Sequence, residues 1–330
     1  MNNIYSEIFD AKSSLNSFFS IDSYEKVLDY LNIDKNDFID YWQSTQTESI
    51  KYFSTIPFVS LDWIWGFYLP LITYIRNYLN QEKKPLIIGI SGLPGSGKST
   101  ASKNLEEISK LMNISLKVIS LDDFYLPSPQ LDHSMKGNPW NVPRGLPGSH
   151  SISEISNTIN TFLNKGILSA PQFDKSLRDG LGDRSGWIET RANVLILEGW
   201  FLGCKPFDVD NSELFNLEEN LNPALNKKEI DYRYLVQKSL ENYLPIWDNL
   251  LRIWHLKADS FNNTVNWKSE QEQNLRTKKG SSLQGDQLTS FVRMIKASIP
   301  QRSLQNIDSD VILKINKDRK IISVESPRIH

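Results

Sequence analysis

Up to Asn80 the apolar residues recur at helical spacing. "DSYEKVLDYLNI" and "KNDFIDYWQST" each carry one apolar stripe, and "LDWIWGFYLPLITYIRNYL" is a longer, more apolar version of the same pattern. Its aromatics suit a helical cap packed on another layer; a partner surface is the other use of such rings. The polar run "NQEKKP", Asn80 to Pro85, ends in proline and marks a boundary. The pattern predicts a helical N-terminal region over 1–80 and a second unit over 85–330.

Beyond Pro85 the period changes. "PLIIGIS", "SLKVISLD", "NVLILEG" and "LLRIWHLKA" are short, almost wholly apolar runs that read as buried strands. Helical stretches separate them. "KSTASKNLEEISKLM" puts Leu105, Ile108 and Leu111 on one face. Ser151 to Gly166 puts Ile152, Ile155, Ile159 and Phe162 inside, with Ser151 and Glu154 as a capping box, and a further helix falls around Tyr232 to Tyr243. Apolar strands alternating with helices predict a mostly parallel sheet covered on both faces, an α/β three-layer sandwich. "DVILKINKDRKIISVE" reads as a hairpin turning at Lys317 to Arg319, at a sheet edge. From Gly280 the chain keeps helical spacing. Trp254 and Trp267 read as core residues, with base stacking as the alternative.

Between the first strand and its helix lies "GLPGSGKST". Gly92, Gly97, Lys98 and Ser99 complete the pattern G-x-x-x-x-G-K-[ST]. In such a loop the backbone N–H groups face phosphates, the lysine reaches the outer ones and the hydroxyl holds Mg²⁺; the helix N-terminus adds positive charge. Gly92, Leu93, Pro94, Gly95, Ser96, Gly97, Lys98, Ser99 and Thr100 are therefore the expected nucleotide-binding residues of a P-loop NTPase fold. The strand–loop–helix order is the context the motif requires.

Composition narrows the field. The 330 residues are 39% hydrophobic and 23% charged, with a formal net charge of −2. That balance argues against a nucleic-acid or membrane-surface binder, which shows a basic excess. A single cysteine, Cys204, precludes an internal disulfide, and four scattered histidines show no zinc spacing. No signal-like start or membrane-spanning run is visible, so the expected setting is cytoplasmic.

In a parallel sheet, ligands bind beyond the carboxyl ends of the strands. "LDDFYLP" follows the second strand. There Asp122 is expected to take a proton from an acceptor hydroxyl or to help hold Mg²⁺, with Asp123 and Tyr125 on the acceptor side. "LILEGWF" ends the third strand, and Glu198 is expected beside the metal with Ser99. Two loops rich in arginine and glycine lie between: "NPWNVPRGLPGSHS" with Arg144 and His150, and "PQFDKSLRDGLGDRSGW" with Lys175, Arg178 and Arg184. The second, around 174–187, is the expected lid, with Arg178 and Arg184 neutralising charge on the transferring group and Arg144, His150 and Lys175 meeting the acceptor.

A GTPase switch would carry N-K-x-D after a strand. "NKKE" at Asn226 and "NKDR" at Asn316 both fail that pattern, and "DGLG" at Asp179 follows no buried strand. A small-molecule kinase remains, with an ATP-binding regulatory or scaffold protein as the alternative class.

The chain resembles the D-glycerate 3-kinases of plants and cyanobacteria, within the uridine kinase, pantothenate kinase and phosphoribulokinase group. "GISGLPGSGKST", "SLDDFYLP", "RGLPGSHS", "PQFDKSLRDGLGDR", "LILEGWFLG" and a late "WKSEQEQNLR" carry the resemblance, in order, over Pro85 to about Arg276. It departs at Ser151, where the family often has aspartate. The resemblance implies ATP and Mg²⁺ as cofactors, a catalytic aspartate at Asp122, the "RGLPGSH" loop near the acceptor, and phosphorylation of glycerate to 3-phosphoglycerate, a step of photorespiration. Pantothenate and uridine are the acceptors of its neighbours in the group.

Overall fold

Leu86–Gly92 (β1) and Val194–Gly199 (β5) are buried at every position, so neither strand can lie at an edge or face water. In the computed structural model they pair in parallel at the centre of a sheet. The structure describes residues 19–45, 49, 53–56, 59–207, 221–279, 283 and 285–327. Among these, Leu116–Ser120 (β2), Arg252–Ala258 (β6), Val311–Ile315 (β7) and Ile321–Glu325 (β8) complete a six-stranded sheet of order β2-β5-β1-β6-β7-β8. All neighbours are parallel except β7 and β8, the expected hairpin, whose outer strand forms one edge. The helices Lys98–Ser109, Ile152–Lys165 and Lys227–Glu241 fall where the helical spacing placed them, the last starting earlier than expected. Leu105 and Ile108 are buried as expected; the side chain of Leu111 lies outside the described set. The expected tail helix runs over Gly285–Ala297, while 280–282 and 284 lie outside the described residues.

The N-terminal helices lie against the β8 side of the sheet. Tyr24 donates its hydroxyl to Trp65 O at 2.7 Å, Trp42 Nε1 donates to Thr73 at 3.0 Å, and Phe67 meets Trp254 edge-on. The aromatics of this region and the central strands share one hydrophobic core. Residues 1–18 of the expected helical region lie outside the described set. Among the described residues no helix is long and apolar enough to cross a membrane.

Two expectations are corrected. The stretch read as a lid loop is the end of an antiparallel ribbon: Ile167–Asp174 (β3) and Asp183–Arg191 (β4) form the ribbon, and 175–182 are its tip. Pro171 and the exposed, charged β4 mask the alternating pattern that a half-buried strand shows. The Ser151–Glu154 capping box does not form, because Glu154 pairs with Arg184 at 2.5 Å instead. The box that does form is "NKKE", where Asn226 and Glu229 each accept the other's backbone N–H. "NKDR" is the β7–β8 turn, with Asn316 Oδ1 accepting from Asp318 and Lys320 N–H at 3.0 Å.

Candidate active site

Strand register decides what meets at the top of the sheet. Glu198 on β5 pairs with Ile90 of β1 on one side and Ser120 of β2 on the other. The phosphate loop after β1, the turn after β2 and Glu198 therefore share one rim, and a cleft of ≈ 640 Å³ opens there.

The loop keeps its shape through glycine. Gly97 has φ 101° and Gly95 has φ 80°, in the left-handed region. A Cβ on Gly95 would stand 2.6 Å from Cβ of Trp267, so the helix Asn263–Lys279 can cover the loop only because no side chain is there. Pro94, Gly95, Gly97, Lys98, Ser99 and Thr100 line the cleft, whereas Leu93 and Ser96 are buried beneath it. Lys98 Nζ stands 3.8 Å from Glu198 Oε2, and Ser99 Oγ donates to Glu198 Oε1 at 2.6 Å. One carboxylate and one hydroxyl suit Mg²⁺, which keeps several waters and takes few protein ligands. Among the described residues no cluster of three or more histidine, cysteine or acidic side chains forms a fuller cation cage.

Asp122 sits in a 3₁₀ turn, Leu121–Phe124, that faces the cleft. Its Oδ2 accepts from Lys175 Nζ at 2.6 Å and its Oδ1 from the Tyr125 hydroxyl at 2.8 Å. Burial alone would raise its pKa; the Lys175 ammonium overrides burial and holds the carboxyl well below the usual range. Burial opposes the charge on Lys175, and Asp122 reverses that effect and raises its pKa. Asp123 points elsewhere. It accepts from Ser120 N–H at 3.0 Å and Phe173 N–H at 3.5 Å, bracing the turn and tying it to β3.

Arg144 is buried, lines the cleft, and donates from Nη1 to the carbonyls of Gly180 and Leu181 at 2.7 Å each, fastening the ribbon tip. His150, expected at the acceptor, lies behind Tyr125. Its ring stacks on Tyr125 at 4.5 Å, its Nδ1 meets the Tyr243 hydroxyl at 2.8 Å, and burial pushes its pKa down to about 4. Neutral and enclosed, it buttresses Tyr125. Arg178 and Arg184, expected over the transferring group, do not line the cleft. Arg178 forms a bidentate pair with Asp132 on the outside, and Arg184 donates to Tyr125 O at 2.6 Å and to Glu154. The ribbon thus brings Lys175 to the cleft and turns its arginines away.

Several cleft residues escaped the sequence reading. Lys268 is 6% exposed, pairs with Glu272 at 2.5 Å and lies 4.6 Å from the centre of the Phe291 ring. Burial, opposed by Glu272 and aided by the nearby Lys175 and Arg144, pushes its pKa down to about 8. Arg319, in the β7–β8 turn, donates from Nε to Gly95 O at 2.7 Å and pairs with Glu270. The i,i+4 Lys268–Glu272 spacing beside Trp267 was the available signal, and it reads equally as a solvated helix face. Trp254 and Trp267 are both core residues, as the pattern indicated.

A mostly parallel sheet with a phosphate loop and a facing aspartate at its rim defines a P-loop nucleotide-binding protein. No family model matches the chain. It is 31% identical over 235 residues to an uncharacterized kinase, mug58, of Schizosaccharomyces pombe, covering 67% of this chain and 82% of that one. The chloroplastic D-glycerate 3-kinase of Arabidopsis thaliana is 26% identical over 286 residues, 78% of this chain and 60% of that protein's length. The solved D-glycerate 3-kinase of Cryptococcus neoformans superposes with a TM-score of 0.64 at 26% identity, over 79% of this chain and 97% of its own. The chain belongs to the family of P-loop kinases that includes D-glycerate 3-kinase.

Proposed function

We propose that this chain transfers the γ-phosphoryl group of ATP, with Mg²⁺, to a hydroxyl of a small hydroxy acid, D-glycerate, yielding 3-phosphoglycerate and ADP. The observation that carries the reading is the Asp122–Lys175 pair, 2.6 Å apart on the rim that also holds the phosphate loop. The acceptor hydroxyl oxygen attacks the γ-phosphorus, the bond to the β–γ bridging oxygen breaks, and the hydroxyl proton leaves toward Asp122. A carboxyl held at so low a pKa is a weak base, so its main task is to orient the hydroxyl and take the proton late, as a loose phosphoryl transition state allows. Lys175 then has two anionic partners within its reach, Asp122 and the incoming phosphate, and pairing with the phosphate frees Asp122 for the acceptor.

Bound between Ser99 and Glu198, Mg²⁺ would supply charge neutralisation on the outer phosphates. Arg144, Lys175 and Lys268 all line the cleft on the side of Asp122, and three cations there favour an acid over a neutral acceptor. The names of the Arabidopsis and Cryptococcus relatives support glycerate among such acids.

The test is a coupled ADP-release assay with MgATP and D-glycerate beside L-glycerate, pantothenate, uridine and ribulose 5-phosphate. Turnover confined to D-glycerate is expected. Turnover with another acceptor discards glycerate and keeps the chemistry. ATP binding without turnover on any acceptor overturns the kinase reading in favour of an ATP-binding regulatory protein.

A further inference from the structure

The cleft has two chemically different ends. One holds Asp122, Arg144, Lys175 and Lys268. A triphosphate seated on Gly92–Thr100 with its outer phosphate toward Asp122 must run its nucleoside the other way, past Thr100 and Ala101. Ser60, Trp63 and Tyr68 line that far end together with the β7–β8 turn at Asp318, Arg319 and Lys320.

Trp63 and Tyr68 come from the N-terminal helical region, which the sequence pattern read as a packed cap or a partner surface. In an α-helix, residues five apart point about 140° away from each other at 3.6 residues per turn. Here the chain runs through a π-helical turn, Ile64–Tyr68, with Leu69 N–H donating to Ile64 O. The i→i+5 step brings residue 68 round above residue 63, and the two ring centres stand 6.3 Å apart. Single π-turns are rare and fall frequently at functional sites.

Both rings are fastened to the phosphate-binding machinery. Trp63 Nε1 donates to Arg319 O at 2.8 Å, and Arg319 Nε donates to Gly95 O at 2.7 Å inside the phosphate loop. Next to Trp63, Asp62 Oδ2 accepts from Ile321 N–H at 2.7 Å, securing the same turn from the other side. The Tyr68 hydroxyl accepts from Asn104 Nδ2 at 3.1 Å, in the helix that begins at Lys98.

We propose that the N-terminal helical region supplies the base site, with Trp63 and Tyr68 forming the aromatic wall that receives the base of the nucleoside triphosphate. This rests on the cleft being a triphosphate site, and extends it by giving the helical region a direct part in nucleotide recognition. Aromatic faces stack on any base, so the wall supplies affinity, and polar groups of the β7–β8 turn are left to choose among bases.

Calorimetric titration of wild type, Trp63→Ala and Trp63→Phe with MgATP, and separately with magnesium tripolyphosphate, tests the wall. Trp63→Ala is expected to weaken MgATP about tenfold or more, as loss of a stacking ring does, and tripolyphosphate by no more than about twofold; Trp63→Phe should stay near wild type. Equal weakening of both ligands by a folded Trp63→Ala, or no change in either, overturns the assignment. Photolabelling of wild type with 2-azido-ATP decides the same point without any variant. Label on peptides spanning Ser60–Tyr68 supports the wall, and label confined to other peptides removes it. Both measurements need no acceptor, so a protein that binds ATP through Trp63 yet phosphorylates nothing would sink the kinase reading alone.

Discussion

Lys175, at the tip of the β3–β4 ribbon, and Asp122, in the turn after β2, are separated by fifty-three positions in sequence and by 2.6 Å between Nζ and Oδ2. Their pairing ties the ribbon to the sheet and keeps Asp122 ionised throughout the working pH range, because the neighbouring ammonium opposes protonation. Asp122→Asn is expected to lower kcat by about 10²–10⁴-fold, the span of a lost acid–base group, while cooperative melting persists. Since the pKa is depressed in the free enzyme, any acid limb in the kcat/KM profile above pH 4 must belong to another group. Turnover of Asp122→Asn at the wild-type rate in the ADP-release assay would remove Asp122 from the chemistry.

Glu198 and Ser99 are joined at 2.6 Å and are the pair suited to Mg²⁺. Glu198→Gln keeps the shape and removes the charge. The Mg²⁺ concentration for half-maximal rate should rise about tenfold or more, as expected when a charged ligand is lost. A Mg²⁺ titration of the rate that superposes on wild type would separate Glu198 from the metal.

Lys268 carries its charge below pH about 8 and loses it above. For an acid acceptor held by that charge, kcat/KM should fall as pH rises through this value in wild type. Lys268→Met should raise the acceptor KM at neutral pH by about 10–100-fold, the usual cost of a charge-assisted hydrogen bond, and flatten the alkaline fall. The ATP KM serves as control; a parallel rise there would place Lys268 on the nucleotide instead.

At Gly95 a side chain meets both a left-handed backbone and Trp267. Gly95→Ala should cost about 1–2 kcal/mol from the backbone alone, with displacement of the covering helix in addition. The melting temperature should drop and ATP binding weaken together. An unchanged melt would show that the helix over the loop yields without cost.

Arg178 pairs with Asp132 away from the cleft, so Arg178→Ala should leave kcat and both KM values within about twofold, as for a surface ion pair. Arg184 holds the Tyr125 carbonyl and Glu154, and its substitution should show in thermal stability more than in rate. A kcat loss of a hundredfold in Arg178→Ala would mean that the ribbon tip turns inward during turnover.

The phosphate loop, the central strands and the two acids Asp122 and Glu198 were legible because each is a local signal. An apolar run makes a buried strand, a glycine pattern makes an anion-binding turn, and a polar residue just past a strand falls on the rim. The β3–β4 ribbon was not, since Pro171 and a charged outer strand erase its alternation. Direction was equally hidden: Lys175, Arg178 and Arg184 look alike in "FDKSLRDGLGDR", and ribbon geometry alone sends the lysine to Asp122 and the arginines to Asp132 and Glu154.

From its sequence alone this protein is a P-loop nucleotide-binding fold of parallel strands with carboxylates at the strand ends, because residues adjacent in the chain suffice to build those features. Lys268 and Trp63 on the cleft wall, Arg319 on the Gly95 carbonyl and His150 withdrawn behind Tyr125 were decided only by the tertiary structure. Each depends on a contact between segments far apart in the chain, and helical or strand periodicity reports which face a side chain takes but not what folds back to meet it.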